Sequence, residues 1–146
     1  MNSKTNAAFS AKNILYIHFM ILPYLIVAPS GKDGRGIFTS KALQANTVIE
    51  ISPVILLTAK ERKLVESTKM GNYIFEWGKA KKQGCVALGY ISLYNHDYTA
   101  NCEYEMDFDH HLISIKTVKS IKKGEELFIN YNASPNDKTK LWFDAK

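Results

Sequence analysis

Residues 103–109 alternate without a break. Glu103, Glu105, Asp107 and Asp109 fall on one side, and Tyr104, Met106 and Phe108 on the other. Successive side chains of an extended chain point to opposite faces, so a period of two specifies a strand with one wet face and one packed face. Residues 112–118 alternate again, and the two runs can pair across His110-His111. A chain that commits neighbouring segments to strands, with little helical periodicity elsewhere, closes as a mostly-β domain.

The remaining segments agree. Residues 24–28 and Ile37-Phe38 are apolar and flank a turn-rich stretch, Pro29 to Gly36, that holds three glycines in six residues. Such a turn lets the backbone take positive φ and lets a ligand come close, although a plain hairpin loop has the same composition. Residues 42–47 read as a turn, with Asn46 suited to left-handed geometry. Residues 48–57 are strand-like, rich in Ile and Val but broken by Pro53. Thr58, with Glu61 three residues on, predicts a capping box and a helix over residues 59–67. Residues 71–78 read as a strand, residues 79–84 as a polar turn, and residues 85–94 as either strand or helical turn. Residues 120–124 form a turn before the apolar run 127–131.

The N-terminus holds an apolar stretch from Ile14 to Val27, with Lys4 and Lys12 before it. It is shorter than the ~20 residues a membrane-spanning helix needs, and His18 and Pro23 interrupt it. A secretory signal has this outline, but the stretch supplies the first strand of the domain, so residues 1–20 are read as an extension, with residues 1–12 a loose tail, and residues 21–146 as the domain with a short C-terminal segment.

At 146 residues and 46% hydrophobic the chain suits one domain with its own core. Its net charge of +5 is dispersed, which argues for a solvated surface and against a nucleic-acid partner. Two cysteines, Cys85 and Cys102, cannot build a zinc cluster alone, and the four histidines lack ligand spacing, so no metal is expected. A disulfide is open to the two cysteines. Two free thiols are the preferred reading, implying an intracellular protein, cytoplasmic, nuclear or exported into a host. No membrane partner is expected.

Four blocks, in order, resemble the SET-domain protein lysine methyltransferases. Gly34-Arg35-Gly36-Ile37-Phe38 is similar to the family's first strand-turn, and Ala42 to Glu50 to the turn and strand that follow it. Asn95-His96, with Asn101 six residues after Asn95, matches the Asn-His loop. Gly124-Glu125-Glu126-Leu127, leading to Tyr131, matches the last block. The resemblance runs from Tyr24 to Phe143 and implies a β-clip-like fold of several small sheets with short helices. It also implies a C-terminal pseudoknot, a threading rare among proteins at large. Asp97 stands where the family has serine, and Ala100 where it has proline. The cysteine-rich zinc extensions of many relatives are absent.

The resemblance implies methyl transfer from S-adenosylmethionine to a lysine amine of a protein or peptide substrate. A lysine of pKa ~10.4 is only about 0.1% neutral near pH 7.4. The site must therefore favour the neutral amine by desolvation and hold it roughly 3–3.5 Å from the methyl. Tyr131 is implied as the catalytic tyrosine, polarising and positioning rather than acting as base; a core tyrosine ending a strand is the plain alternative. Tyr73, Tyr104 and Ile129 are implied walls of the lysine channel, with an ordinary strand aromatic an equal reading of Tyr73; a hydroxyl at Tyr104 could hold a water or restrict amine rotation and so limit the rounds of methylation. Gly34, Arg35, Gly36, Asn95, His96 and Tyr131 are implied cofactor contacts. Trp142 or Phe143 could close over the cofactor, or anchor the tail on the core. A catalytically silent SET-like module that binds a peptide or partner is the second reading, and a homodimer completing a substrate groove is compatible with both.

Overall fold

The computed structural model describes residues 19–32 and 34–141. The expected loose tail over residues 1–12, and Trp142 and Phe143, lie outside them. Among the described residues, the order is β1 (Met20–Ile21), β2 (Leu25–Pro29), β3 (Arg35–Thr39), β4 (Val48–Leu57), α1 (Ala59–Glu66), a 3-10 turn (Lys69–Tyr73), β5 (Ile74–Trp77) and β6 (Gln83–Ala87). A second 3-10 turn (Ile91–Leu93), β7 (Asn95–His96), β8 (Cys102–Asp107), β9 (Leu112–Thr117) and β10 (Glu126–Ile129) follow.

The alternating segments pair as predicted, β8 on β9 from Cys102↔Thr117 to Asp107↔Leu112. Tyr104 and Met106 pack against the core, while Glu103 on the other face meets Lys116 at 2.8 Å. This hairpin forms one edge of a sheet ordered β5-β6-β4-β9-β8, to which β1 adds along β4. A second sheet is ordered β2-β3-β10-β7. Fully buried Ile37, Ile49, Ile91, Ile113, Ile115 and Leu127 come from both sheets and the second 3-10 turn and form one core. β1 pairs through both Met20 and Ile21, so the boundary drawn between residues 20 and 21 falls inside a strand.

The capping box on α1 is present in both directions, Glu61 N–H to Thr58 Oγ1 and Thr58 N–H to Glu61. Asn46 adopts φ 61°, the left-handed geometry its turn requires.

Three local expectations change. Pro53 does not break its strand. β4 pairs with β9 up to Pro53↔Leu112 and with β6 from Val54↔Ala87 onward. The proline therefore sits where one ladder hands over to the other, and its missing N–H interrupts neither. Residues 71–78 are not all strand: Thr68 caps a 3-10 turn through Tyr73, and β5 starts only at Ile74. Gly71 lies so close to the Glu66 backbone that a Cβ would approach it to 2.8 Å, which holds that stretch curled. Residues 85–94 prove to be both a strand and a helical turn, separated at Gly89 (φ 71°).

Candidate active site

β10 brings the four blocks together. It runs antiparallel to β3 through Glu126↔Phe38 and Leu127↔Ile37, and parallel to β7 through Phe128↔Asn95 and Ile129↔His96. The buried Asn101 pins it from the side: its Nδ2 donates to the Glu126 carbonyl and its Oδ1 accepts from the Phe128 N–H, both at 2.8 Å. One side chain thus replaces a neighbouring strand where the loop after β7 passes the C-terminal segment.

The glycine turn and the Asn-His pair meet at Glu126. Its carboxylate accepts from Asn95 Nδ2 at 2.8 Å and from Ser30 Oγ at 2.9 Å, while Asn95 Nδ2 also reaches the Arg35 carbonyl at 3.2 Å. A Cβ at Gly36 would collide with the Glu126 carboxylate and crowd Asn95, so any larger residue there must displace the Glu126 carboxylate from its hydrogen bonds. Gly34, by contrast, is needed for its φ of 53°, and its carbonyl closes the turn by accepting from Ser30 N–H at 3.0 Å. Lys32 from this turn pairs with Asp97 at 3.2 Å. Asp97 also accepts from the Thr99 N–H and hydroxyl. Against the upward push of burial, these donors and Lys32 hold its carboxyl below the usual range.

His96 is 6% exposed. Its Nδ1 accepts from the Tyr131 N–H at 3.1 Å, so the ring proton sits on Nε2. That Nε2 is buried and has no partner among the described residues. Burial lowers the imidazole pKa, keeping this neutral tautomer. Its ring packs edge-on against Tyr98 at 4.5 Å and tilted against Tyr131 at 5.2 Å. The chain beyond β10 folds back over this loop: Asn130 and Asn132 donate to the carbonyls of Asp137 and Thr139, and Leu141 N–H reaches the Tyr98 hydroxyl at 3.3 Å.

Tyr131 leaves β10 with its hydroxyl donating to the Tyr94 carbonyl at 2.9 Å. The residue is 37% exposed, yet burial of the phenol pushes its pKa to about 12, with Tyr73 adding to the shift. Tyr104 approaches from β8, its hydroxyl 3.5 Å from the Tyr131 carbonyl and its ring edge-on to Phe75. Burial raises its pKa to about 12 as well. Tyr73 ends the first 3-10 turn, half-exposed, and its carbonyl accepts from Ser92 Oγ. Ile129 is fully buried; it pairs with His96, and its carbonyl accepts from the Asp97 N–H at 3.2 Å.

The structure thus gathers Gly34, Arg35, Gly36, Asn95, His96, Tyr104 and Tyr131 around one locality, with Tyr73 at its rim. Trp142 lies outside the described residues. The resemblance implies no role for Glu126 in the last block; a carboxylate opening a strand two residues after a glycine turn is its only sequence signal. Cys85 and Cys102 are free and buried, and burial pushes each thiol to about 12. Among the described residues no group of three or more His, Cys, Asp or Glu could hold a metal ion, and no helix is long and apolar enough to cross a membrane.

Comparison with known proteins agrees with this geometry. Residues 34–132 match the SET domain. A Schizosaccharomyces pombe histone-lysine N-methyltransferase, specific for lysine 37 of H3, is 35% identical over 121 residues, 82% of this chain and 77% of that protein. A crystal structure of a Plasmodium falciparum protein, described as a candidate histone methyltransferase, superposes with a TM-score of 0.60 at 26% identity. It covers 78% of this chain and 97% of that one. The apo ctPRC2 assembly with substitutions in Ezh2 superposes with a TM-score of 0.64 over 77% of this chain and 15% of that one; at 21% identity this speaks for the fold alone. The chain belongs to the SET-domain family of lysine methyltransferases.

Proposed function

We propose that the protein transfers a methyl group from S-adenosylmethionine to a lysine side chain of a protein, with Tyr131 as the aligning hydroxyl. The observation that carries this is the Tyr131–Tyr94 hydrogen bond set beside the neutral His96. When bound, the cofactor supplies a methyl already activated on a sulfonium. The residues fit such a group on two counts. His96 Nε2 is a buried donor lacking a partner, a costly state that a polar ligand atom would relieve. A Cβ at Gly31 or Gly34 would meet nothing within 4 Å, so the turn leaves its backbone open to a ligand.

The tyrosines then act on the lysine. A half-buried aromatic site strips water from the amine and favours its neutral form. Tyr131, its proton held to about pH 12 and given to the Tyr94 carbonyl, offers its oxygen to an N–H of the amine, which leaves the amine lone pair free, and does not act as a base. Tyr104, whose hydroxyl lies near the Tyr131 carbonyl, is placed to restrict rotation of the amine and so the number of methyl groups added. Histone H3, named for the fission-yeast relative, is the first substrate to try.

Calorimetric titration of the protein with S-adenosylmethionine tests the cofactor assignment. Saturable binding at one site, weakened by Gly36→Ala, is expected. An absence of binding heat and of any thermal stabilisation by the cofactor would leave the silent peptide-binding module as the reading.

A further inference from the structure

β4 buries a carboxylate at a position that the alternation Ile49-Glu50-Ile51-Ser52 reads as solvent-facing. Glu50 lies between Ile49 and Ile51 and is 0% exposed. Among the described residues no cation pairs with it. Instead the chain builds a nest of neutral donors around it. Oε1 accepts from the Tyr90 N–H at 2.7 Å and the Ser52 hydroxyl at 2.9 Å, and Oε2 accepts from the Tyr94 hydroxyl at 3.1 Å. The Ile91 N–H also bears on the carboxylate. The two N–H donors lie at the start of the 3-10 turn Ile91–Leu93, the end of a helix at which backbone N–H groups gather, while the Ser52 hydroxyl comes from β4 itself and the Tyr94 hydroxyl from the residue that ends the turn. Gly89 allows the approach: its φ is 71°, and a Cβ there would strike Glu50 and Ser52.

The nest is directed at one segment. Residues 89–94 are the chain immediately before Asn95, and their last residue, Tyr94, is held at both ends. Its ring is 1% exposed and its hydroxyl is spent on Glu50; its carbonyl is the acceptor for Tyr131. A fully satisfied buried polar network rigidifies the segment it holds, and this one includes Tyr94, whose carbonyl is the Tyr131 hydroxyl's partner.

We propose that Glu50 is a positioning residue for methyl transfer: by clamping Tyr94 through its hydroxyl and the neighbouring N–H groups, it fixes the carbonyl that aims the Tyr131 hydroxyl. It touches neither cofactor nor lysine and acts only through Tyr94. This rests on the functional reading above and adds to it a residue 81 positions upstream of Tyr131 in sequence.

The test measures methyl transfer by wild type, Tyr94→Phe, Glu50→Ala, Glu50→Gln, Tyr131→Phe and the Tyr94→Phe/Tyr131→Phe double variant. Thermal unfolding is followed in parallel. Tyr94→Phe keeps the ring and removes one hydroxyl, so it stays informative even if Glu50→Ala fails to fold. Displacing a reacting group by an ångström costs roughly a hundredfold in rate. Tyr94→Phe is therefore expected to lower kcat at least tenfold in fully folded protein, with KM and cofactor affinity within about twofold. Glu50→Gln, which can still bond Tyr94, recovers most of what Glu50→Ala loses. In the Tyr131→Phe background, Tyr94→Phe adds little, because the group it aims is gone. An active wild type in which folded Tyr94→Phe keeps full kcat, or in which the two losses multiply, overturns the positioning role alone. A wild type that transfers no methyl removes the functional reading and this role with it.

Discussion

The Tyr131 hydroxyl donates to the Tyr94 carbonyl at 2.9 Å, across 37 positions of sequence. The same Tyr131 gives its N–H to His96. A backbone atom and a side-chain atom of one residue are thus tied to the segment 94–96, which fixes both the direction of the phenol and the end of β10.

The first consequence concerns pH. Burial pushes the Tyr131 phenol to about 12, so it keeps its proton where an ordinary tyrosine, near 10, would lose it. The reacting amine, by contrast, is freed as pH rises towards ~10.4. Methyl transfer is expected to climb from pH 7 to pH 9 and to show no falling limb near pH 10 in initial-rate profiles. Tyr131→Phe should lower kcat by at least tenfold, on the order of the loss of one positioned donor, while keeping the shape of the rise. A descending limb at pH 10 that disappears in Tyr131→Phe would contradict the protonated role.

His96 predicts a pH dependence of stability. Burial holds its pKa below the ordinary 6.5, so between those two values the unfolded chain binds more protons than the folded one. Its contribution is complete above about pH 6.5 and is lost as pH falls through the lowered value. Protonating Nδ1 would also break the bond from Tyr131. In urea denaturation, the stability difference between wild type and His96→Asn is expected to move against wild type from pH 7 to pH 5. A difference independent of pH would show that His96 does not titrate in this way.

Gly36→Ala should be disproportionately harmful for so small a change. The added methyl enters space held by Glu126 and Asn95, and overpacking of this kind costs about 1–3 kcal/mol. Gly31→Ala, with nothing within 4 Å, serves as the control and should leave the unfolding midpoint unchanged. Equal midpoints for the two variants would show that the Gly36 contact yields freely.

Asn101 and Asp97 lie in one loop and should differ sharply in their contribution to stability. Asn101→Ala leaves the Glu126 carbonyl and Phe128 N–H without their buried partner, each costing about 1–3 kcal/mol. Asp97→Ser breaks a partly exposed pair with Lys32, worth about 0–1 kcal/mol and weakened further by salt. Chemical denaturation at low and high salt separates the two, and a larger loss for Asp97→Ser would reverse the assignment.

What was legible in the sequence was local or carried by motif. The β8–β9 hairpin followed from strict alternation, and the start of α1 from Thr58 and Glu61, because each signal spans only a few residues. Most of the candidate site residues were drawn from the resemblance of the four blocks, not from any periodicity. What escaped were contacts joined over long stretches of chain. Glu126 meets Ser30 across 96 positions, and Glu50 meets Tyr94 across 44. In isolation a glutamate inside an Ile-rich strand reads as solvent-facing, since no sequence rule shows the donors that will surround it. Pro53 interrupts no pairing, because a proline is an obstacle only where a ladder needs its N–H. Which edge of β4 is paired at that point is set by β6 and β9, each distant in sequence.

The most direct measurement is mass spectrometry of histone H3 and of lysine-rich protein mixtures after incubation with S-adenosylmethionine, wild type beside Tyr131→Phe. The account predicts one or more methyl groups on lysine side chains with wild type, sharply reduced with Tyr131→Phe, and none on proteins whose lysines have been chemically blocked. Methylation undiminished by Tyr131→Phe, or persisting on the blocked proteins, would contradict it.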